Sequence, residues 1–139
     1  MLFVYGTLRK DCVTESAVSL MRTATYVGPA TYRGKMYLLQ TYPGAVPSAH
    51  TRDVVYGELY RGVSEHLLEH IDAYEECSSA FPTPHEYERV LQTVQHADGT
   101  SLLAWVYVYA GPTKKLQRIT HGDFSRVRQS PAQGRVGCV

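Results

Sequence analysis

The chain has 139 residues, 44% of them hydrophobic, and a formal net charge of +1. That length suits one domain with a real core, and so small a charge gives no field for gathering nucleic acid or an anionic membrane. No apolar run approaches a membrane span, and no basic segment precedes the short apolar stretch at the N-terminus.

Cys12, Cys77 and Cys138 are odd in number and widely spaced. They read as reduced thiols of a cytoplasmic protein, not as a disulfide framework or a zinc site. Eleven tyrosines beside one Trp and three Phe are an unusual balance. Tyrosine lines wet pockets well, having apolar area and a hydroxyl together; it is also a favoured strand residue, and most of these positions fit that use.

In chain order, Met1–Tyr5 predicts a first, central strand. Gly6-Thr7-Leu8-Arg9 follows it directly. A glycine at a strand end permits φ > 0 and leaves backbone N–H groups uncovered, so the turn is either a cup for an anion or an ordinary strand exit. A short helix is expected over Glu15–Arg22, held by Ala17, Val18 and Met21. Two strands are expected next, one around Tyr26–Arg33 interrupted at Gly28-Pro29, the other over Lys35–Gln40. Tyr42-Pro43-Gly44 reads as a turn. Val54–Tyr60 is a strand whose interior Gly57 marks a bend or a close approach by another segment.

Ser64 before a periodic run, with Glu65 in the first turn, starts a helix. At about 100° per residue, Leu67, Leu68, Ile71 and Tyr74 share one stripe. Glu75 falls inside that stripe, Asp72 at its edge and Glu76 outside it. A carboxyl group there meets both desolvation and the negative end of the helix dipole, which raise its pKa toward neutrality. That tuning suits general acid–base chemistry. The other reading is a Glu at a frayed helix end, swung into water.

Cys77–Glu86, with Pro82 and Pro84, reads as a loop. Tyr87–Val94 and Ser101–Tyr109 form a hairpin across Asp98-Gly99, and the second strand is so apolar that both its faces are expected to be covered. Ile119–Phe124 is a short closing segment. The domain is therefore expected over residues 1–124, with 125–139 as a tail. Together these elements predict an α+β domain: a small mixed β-barrel of about six strands with one or two packed helices.

His66-Leu67-Leu68-Glu69-His70 matches the H-x-x-E-H zinc pattern. Both histidines fall beside the buried stripe, and no Glu lies beyond Glu88 to complete the site, so no metal is assigned.

The order of motifs is more informative than any one of them. FVYGTLR (Phe3–Arg9), Tyr42-Pro43-Gly44, VYGELY (Val55–Tyr60), IDAYEEC (Ile71–Cys77), Tyr87-Glu88-Arg89 and Ala104-Trp105-Val106-Tyr107 follow one another in a pattern that resembles the γ-glutamylcyclotransferase-like (AIG2-like) family. The likeness reaches to about Phe124. YGTL and the E-x-C after the helix are similar to the γ-glutamylamine cyclotransferases within it.

The resemblance implies cleavage of γ-glutamyl amines, such as γ-glutamyl-ε-lysine, to 5-oxoproline and a free amine, with no cofactor. It places the family's catalytic Glu on Glu75 and its substrate loop on Tyr5, Gly6, Thr7 and Leu8. Tyr107 is either a hydroxyl contact to substrate or a core aromatic of its strand. The expected partner is a small γ-glutamyl molecule, with no nucleic acid or membrane, and the protein a monomer or weak dimer. The competing class is a non-catalytic module that holds a γ-glutamyl or amino-acid ligand in the same fold. The loop over 77–86 is longer than the pattern requires and is expected to reshape one pocket wall.

Overall fold

The computed structural model describes residues 1–6, 22–75 and 77–127. The helix expected over Glu15–Arg22 falls almost wholly outside them, as do Thr7, Leu8, Glu76 and the tail from 128. Seven strands, an α-helix and a terminal 3-10 turn are described. They run β1 (Leu2–Val4), β2 (Thr25–Leu38), β3 (Pro43–Pro47), β4 (Val54–Arg61), α1 (Glu65–Tyr74), β5 (Tyr87–His96), β6 (Ser101–Tyr109), β7 (Gln117–Ile119) and the turn Phe124–Arg126.

Five strands close a barrel. β2 pairs β4, β4 pairs β1 and β6 pairs β5, all antiparallel, while β1 and β6 run parallel. Pairing of β5 back onto β2, with Tyr32 opposite Val94, completes the ring. Closure removes the exposed edges that an open sheet would present. Phe3 lies in register with Leu59 on one side and Val106 on the other, and cross-strand partners share a face. Its ring stands 6.2 Å from that of Tyr32. β1 and β2 do not pair, so this contact crosses the barrel and marks its interior.

The expected break in β2 does not occur: the strand is continuous over 14 residues. Pro29 has no N–H to give, but its carbonyl accepts from the Ala97 N–H at 3.0 Å, and a bulge between Tyr26 and Gly28 absorbs the irregularity. The far end of the same strand leaves the barrel. There it is flanked by β3 and β7 in a three-stranded sheet, with Met36 opposite both Ala45 and Ile119.

β3 is a second correction. Tyr42-Pro43-Gly44 is not the turn itself: the Leu39 N–H bonds the Tyr42 carbonyl at 2.9 Å, and Pro43 already pairs with Leu38. Proline is tolerated as the first residue of a strand because one missing donor there costs little. Gly57 is the close approach that its position in β4 predicts, since a Cβ would overlap the Val4 carbonyl oxygen and the Phe3 ring.

The apolar β6 is not covered throughout. Leu103 is 61% exposed, because α1 packs over the Tyr107 end of the strand and Leu103 lies nearer the hairpin turn. At the C-terminal end Asp123 caps the 3-10 turn, accepting from the Ser125 N–H at 3.1 Å, and Phe124 is buried. The described fold thus includes the first residues of the segment read as tail.

Candidate active site

Ser64 opens α1 by accepting from the Leu67 N–H at 3.0 Å, which satisfies one of the donors a helix start leaves over. Leu67, Leu68 and Ile71 bury the stripe foreseen for them. Glu75 is the C-cap, with φ −83° and ψ 0°, and its N–H still reaches the Ile71 carbonyl at 2.8 Å. The residue therefore keeps helical phase, and its side chain follows Leu68 and Ile71 inward. It is 1% exposed. Among the described residues, only Glu58 and Glu75 are buried acids.

Asp72, one turn earlier, meets different surroundings. Its carboxylate accepts from Arg89 twice, Nε at 2.8 Å and a terminal nitrogen at 3.0 Å, and from the Tyr107 hydroxyl at 2.5 Å. The Cys77 Sγ stands 3.9 Å from the same oxygen. Arg89 and Tyr107 are opposite each other on β5 and β6, and the guanidinium lies 4.4 Å over the Trp105 ring. Planar, two-pronged Arg–carboxylate pairing fixes direction as well as distance. The last turn of α1 is thereby clamped to the hairpin, and with it the place of Glu75.

Burial and then the adjacent Asp72 push the Tyr107 phenol far up, so it stays a donor. Burial, followed by the charges of Asp72 and Glu75, raises the Cys77 thiol to about 12. That thiol is protonated at neutral pH and is no thiolate nucleophile.

Glu75 also lines a pocket of about 280 Å³ with Tyr42 and the loop side chains Phe81, Pro82, Pro84, His85 and Glu86. This is just under the usual range for ligand sites, about 300–1,000 Å³. The loop closes on itself through His85 Nε2, 3.2 Å from the Phe81 carbonyl, a bond the ring makes as its Nε2–H tautomer. Tyr42 ties the strand side to the loop side, its hydroxyl donating to Glu86 at 3.0 Å.

Among the described residues, Tyr5, Gly6 and Tyr107 are not part of the pocket's lining. Tyr5 is fully buried; its hydroxyl donates to the Tyr107 carbonyl at 2.6 Å and accepts from the Ala45 N–H at 3.1 Å. It joins the end of β1 to β6 and β3. Tyr107 is joined in turn to α1 through Asp72. Gly6 is buried just past β1, and Thr7 and Leu8 lie outside the described residues. His66 and His70 are exposed on α1. Among the described residues no group of three or more His, Cys, Asp or Glu is placed to hold a metal ion, and no helix is long and apolar enough to cross a membrane.

The clamp is absent from the sequence reading, whereas the loop over 77–86, expected at one pocket wall, does line the pocket through Phe81, Pro82, Pro84, His85 and Glu86. Asp72 falls at the stripe's edge in the sequence, and its spacing before Glu75, with the Tyr-x-Arg of β5, is the available signal. Tyr42 and Glu86 carried none, because their partnership joins distant segments.

Residues 2–126 match the family described as γ-glutamyl cyclotransferase, AIG2-like. The γ-glutamylcyclotransferase family protein YtfP of Escherichia coli (strain K12) is 34% identical over 124 residues, covering 88% of this chain and 94% of that protein. The γ-L-glutamyl-butirosin B γ-glutamyl cyclotransferase of Niallia circulans is 35% identical over 112 residues, covering 78% of this chain and 65% of that protein. Among solved structures, ytfP from Escherichia coli superposes with a TM-score of 0.63 at 32% identity, over 92% of this chain and 98% of that one. An AIG2-like protein from Mus musculus gives 0.66 at 23% identity over 96% and 97%, a likeness of fold.

Proposed function

The chain belongs to the AIG2-like γ-glutamyl cyclotransferase family, and on that premise we propose that it releases 5-oxoproline and a free amine from γ-glutamyl amines, with Glu75 as the proton carrier. The observation that carries this reading is a carboxyl group 1% exposed at the end of a clamped helix and lining a pocket.

The reaction asks little covalent chemistry of the protein. The substrate's α-amino nitrogen attacks its own side-chain carbonyl carbon, a five-membered lactam closes, and the bond from that carbon to the amine nitrogen breaks. Nucleophile and electrophile share one molecule, so the main task is to hold the folded-back conformer, a kind of positioning that is worth up to about 7–11 kcal/mol. Glu75 as carboxylate takes a proton from the α-ammonium and, as the acid, returns one to the departing nitrogen. Burial and the helix C-terminus both favour its neutral form, which brings the two directions of transfer into balance near neutral pH.

The α-carboxylate and the developing oxyanion need fixed donors. The backbone N–H groups of Gly6, Thr7 and Leu8 are assigned that work. Tyr107 contributes through Asp72, by holding the helix that bears Glu75.

The test is direct. Purified protein incubated with γ-glutamyl-ε-lysine should form 5-oxoproline and free lysine in equal amounts, and Glu75→Gln should not. Binding of the substrate without turnover would favour the ligand-holding module instead.

A further inference from the structure

We propose that Phe81, held in place by His85, is the specificity-determining wall for the leaving amine, and that the site favours amines with an alkyl or aralkyl chain beyond the scissile nitrogen. The inference rests on the cyclotransferase reading and adds to it the residues that choose the amine.

The loop between α1 and β5 is tied at both ends. The Cys77 N–H donates to the Asp72 carbonyl at 3.0 Å, and the Ala110 N–H to the Glu86 carbonyl at 2.8 Å. Between these ties Phe81 is pinned on both sides. Its N–H donates to the Ser78 carbonyl at 3.1 Å, and its carbonyl accepts from His85 Nε2 at 3.2 Å. Of the residues spanned by that second bond, Pro82 and Pro84 have φ locked by their rings, so little chain freedom is lost when it forms. Phe81 and His85 are half-buried, whereas Ser79, Ala80, Pro82, Thr83 and Pro84 are exposed. The loop thus fixes the backbone of Phe81, and the side chain it carries lines the pocket together with Glu75.

What meets that ring follows from the direction of the reaction. Glu75 returns a proton to the departing nitrogen, so the scissile bond lies at its carboxyl group. The glutamyl end is assigned to the turn after β1, and Gly6, among the described residues, is outside the pocket's lining. The chain beyond the departing nitrogen is therefore the part directed along the lining toward Phe81, Pro82 and Pro84. Their rings offer apolar surface, which gains from methylenes or aryl carbons taken out of water with it. Ammonia or methylamine would cover little of that surface.

The γ-glutamyl amides of methylamine and n-butylamine separate the contributions, since both carry the same glutamyl part and the same scissile bond. 5-Oxoproline release is followed for each with the full chain and with Phe81→Ala, Phe81→Leu, His85→Ala and His85→Gln. In the parent, kcat/KM for the butyl amide should exceed that for the methyl amide by about tenfold, less than the roughly fourfold for each methylene that full burial gives, and mainly through KM. Phe81→Ala should cut the butyl-to-methyl ratio by about threefold, whereas Phe81→Leu, which keeps an apolar wall, should hold it near the parent value. His85→Ala should lower the ratio in the same direction by releasing Phe81. His85→Gln should restore most of it, because its amide N–H is a donor for the same carbonyl. Each ratio comes from one preparation, so any loss of folded protein cancels from it.

A ratio that Phe81→Ala leaves unchanged overturns the amine assignment while leaving the reaction in place. So does 5-oxoproline from γ-glutamyl-ε-lysine with none from either alkyl amide. A ratio lowered by His85→Ala and not restored by His85→Gln overturns the positioning role of His85. Absence of 5-oxoproline from all three amides overturns the cyclotransferase reading, and the amine assignment with it.

Discussion

Asp72 and Glu75 stand one turn apart on α1, and their surroundings differ in kind. Asp72 faces the β5–β6 hairpin, where Arg89 and the Tyr107 hydroxyl converge on its two oxygens. Glu75 faces the pocket, bounded by prolines, rings and a second acid. One environment ties its carboxylate into a clamp, the other sets its carboxyl group against the pocket, and a single helix supplies both. The pair shows how a fold gives chemically similar groups different surroundings: a saturated carboxylate holds the helix still, and a dry one borders the pocket. The clamp costs flexibility at the place where flexibility would move Glu75 off its mark.

The largest expected effect comes from removing the dry member. Glu75→Gln should lower 5-oxoproline formation by about 10²–10⁴-fold, the range for general acid–base groups, with circular dichroism and thermal melting close to the parent. Glu76→Gln should keep most activity; equal losses in the two variants would erase the distinction drawn for Glu75. Changing the saturated member should do the reverse. Asp72→Asn leaves Arg89 facing an amide, and urea titration should report a loss of roughly 2–3 kcal/mol for a partly buried charged hydrogen-bond network. A fall in kcat should accompany it, because the base proposed here is displaced rather than deleted.

Tyr107→Phe sharpens the comparison further. Losing one hydrogen bond to the clamp should cost about 1 kcal/mol of stability and leave KM near its parent value. A large rise in KM with unchanged stability would mean that the hydroxyl meets substrate instead. The smallest effect is one of pH. The Cys77 thiol rises from 9.0 to about 12 in the fold and the Tyr32 phenol from 10.0 to about 12, in each case chiefly through burial. The unfolded chain therefore loses these protons first, and stability should fall as pH rises from about 9 toward 12, as measured by denaturant midpoints in alkaline buffers.

What could be read before the fold was known followed the range of each interaction. The stripe of α1, with Glu75 on it, depends on spacing within one helix, and the β5–β6 hairpin on a local Asp-Gly turn. Both were legible. The unbroken course of β2 was not, because Pro29 is accommodated by a carbonyl bond to Ala97 and by a bulge, neither visible nearby in sequence. β3 was hidden for a similar reason: Tyr5 and Tyr87 hold it from far along the chain, through the Ala45 N–H and the Pro43 carbonyl. The tyrosine-rich composition turned out to do much of its work in such cross-ties. At the site, periodicity could find the acid on the stripe, but not the Arg and Tyr that make its neighbour an anchor.

The course of β2 has a consequence for the pocket. Because one strand belongs first to the barrel and then to the sheet with β3 and β7, the two sheets have no seam along which to slide apart. Tyr42, carried on the short link from this strand to β3, inherits the stiffness of the barrel wall. Through its hydroxyl bond to Glu86, 3.0 Å long, that stiffness is passed across the pocket to the loop between α1 and β5.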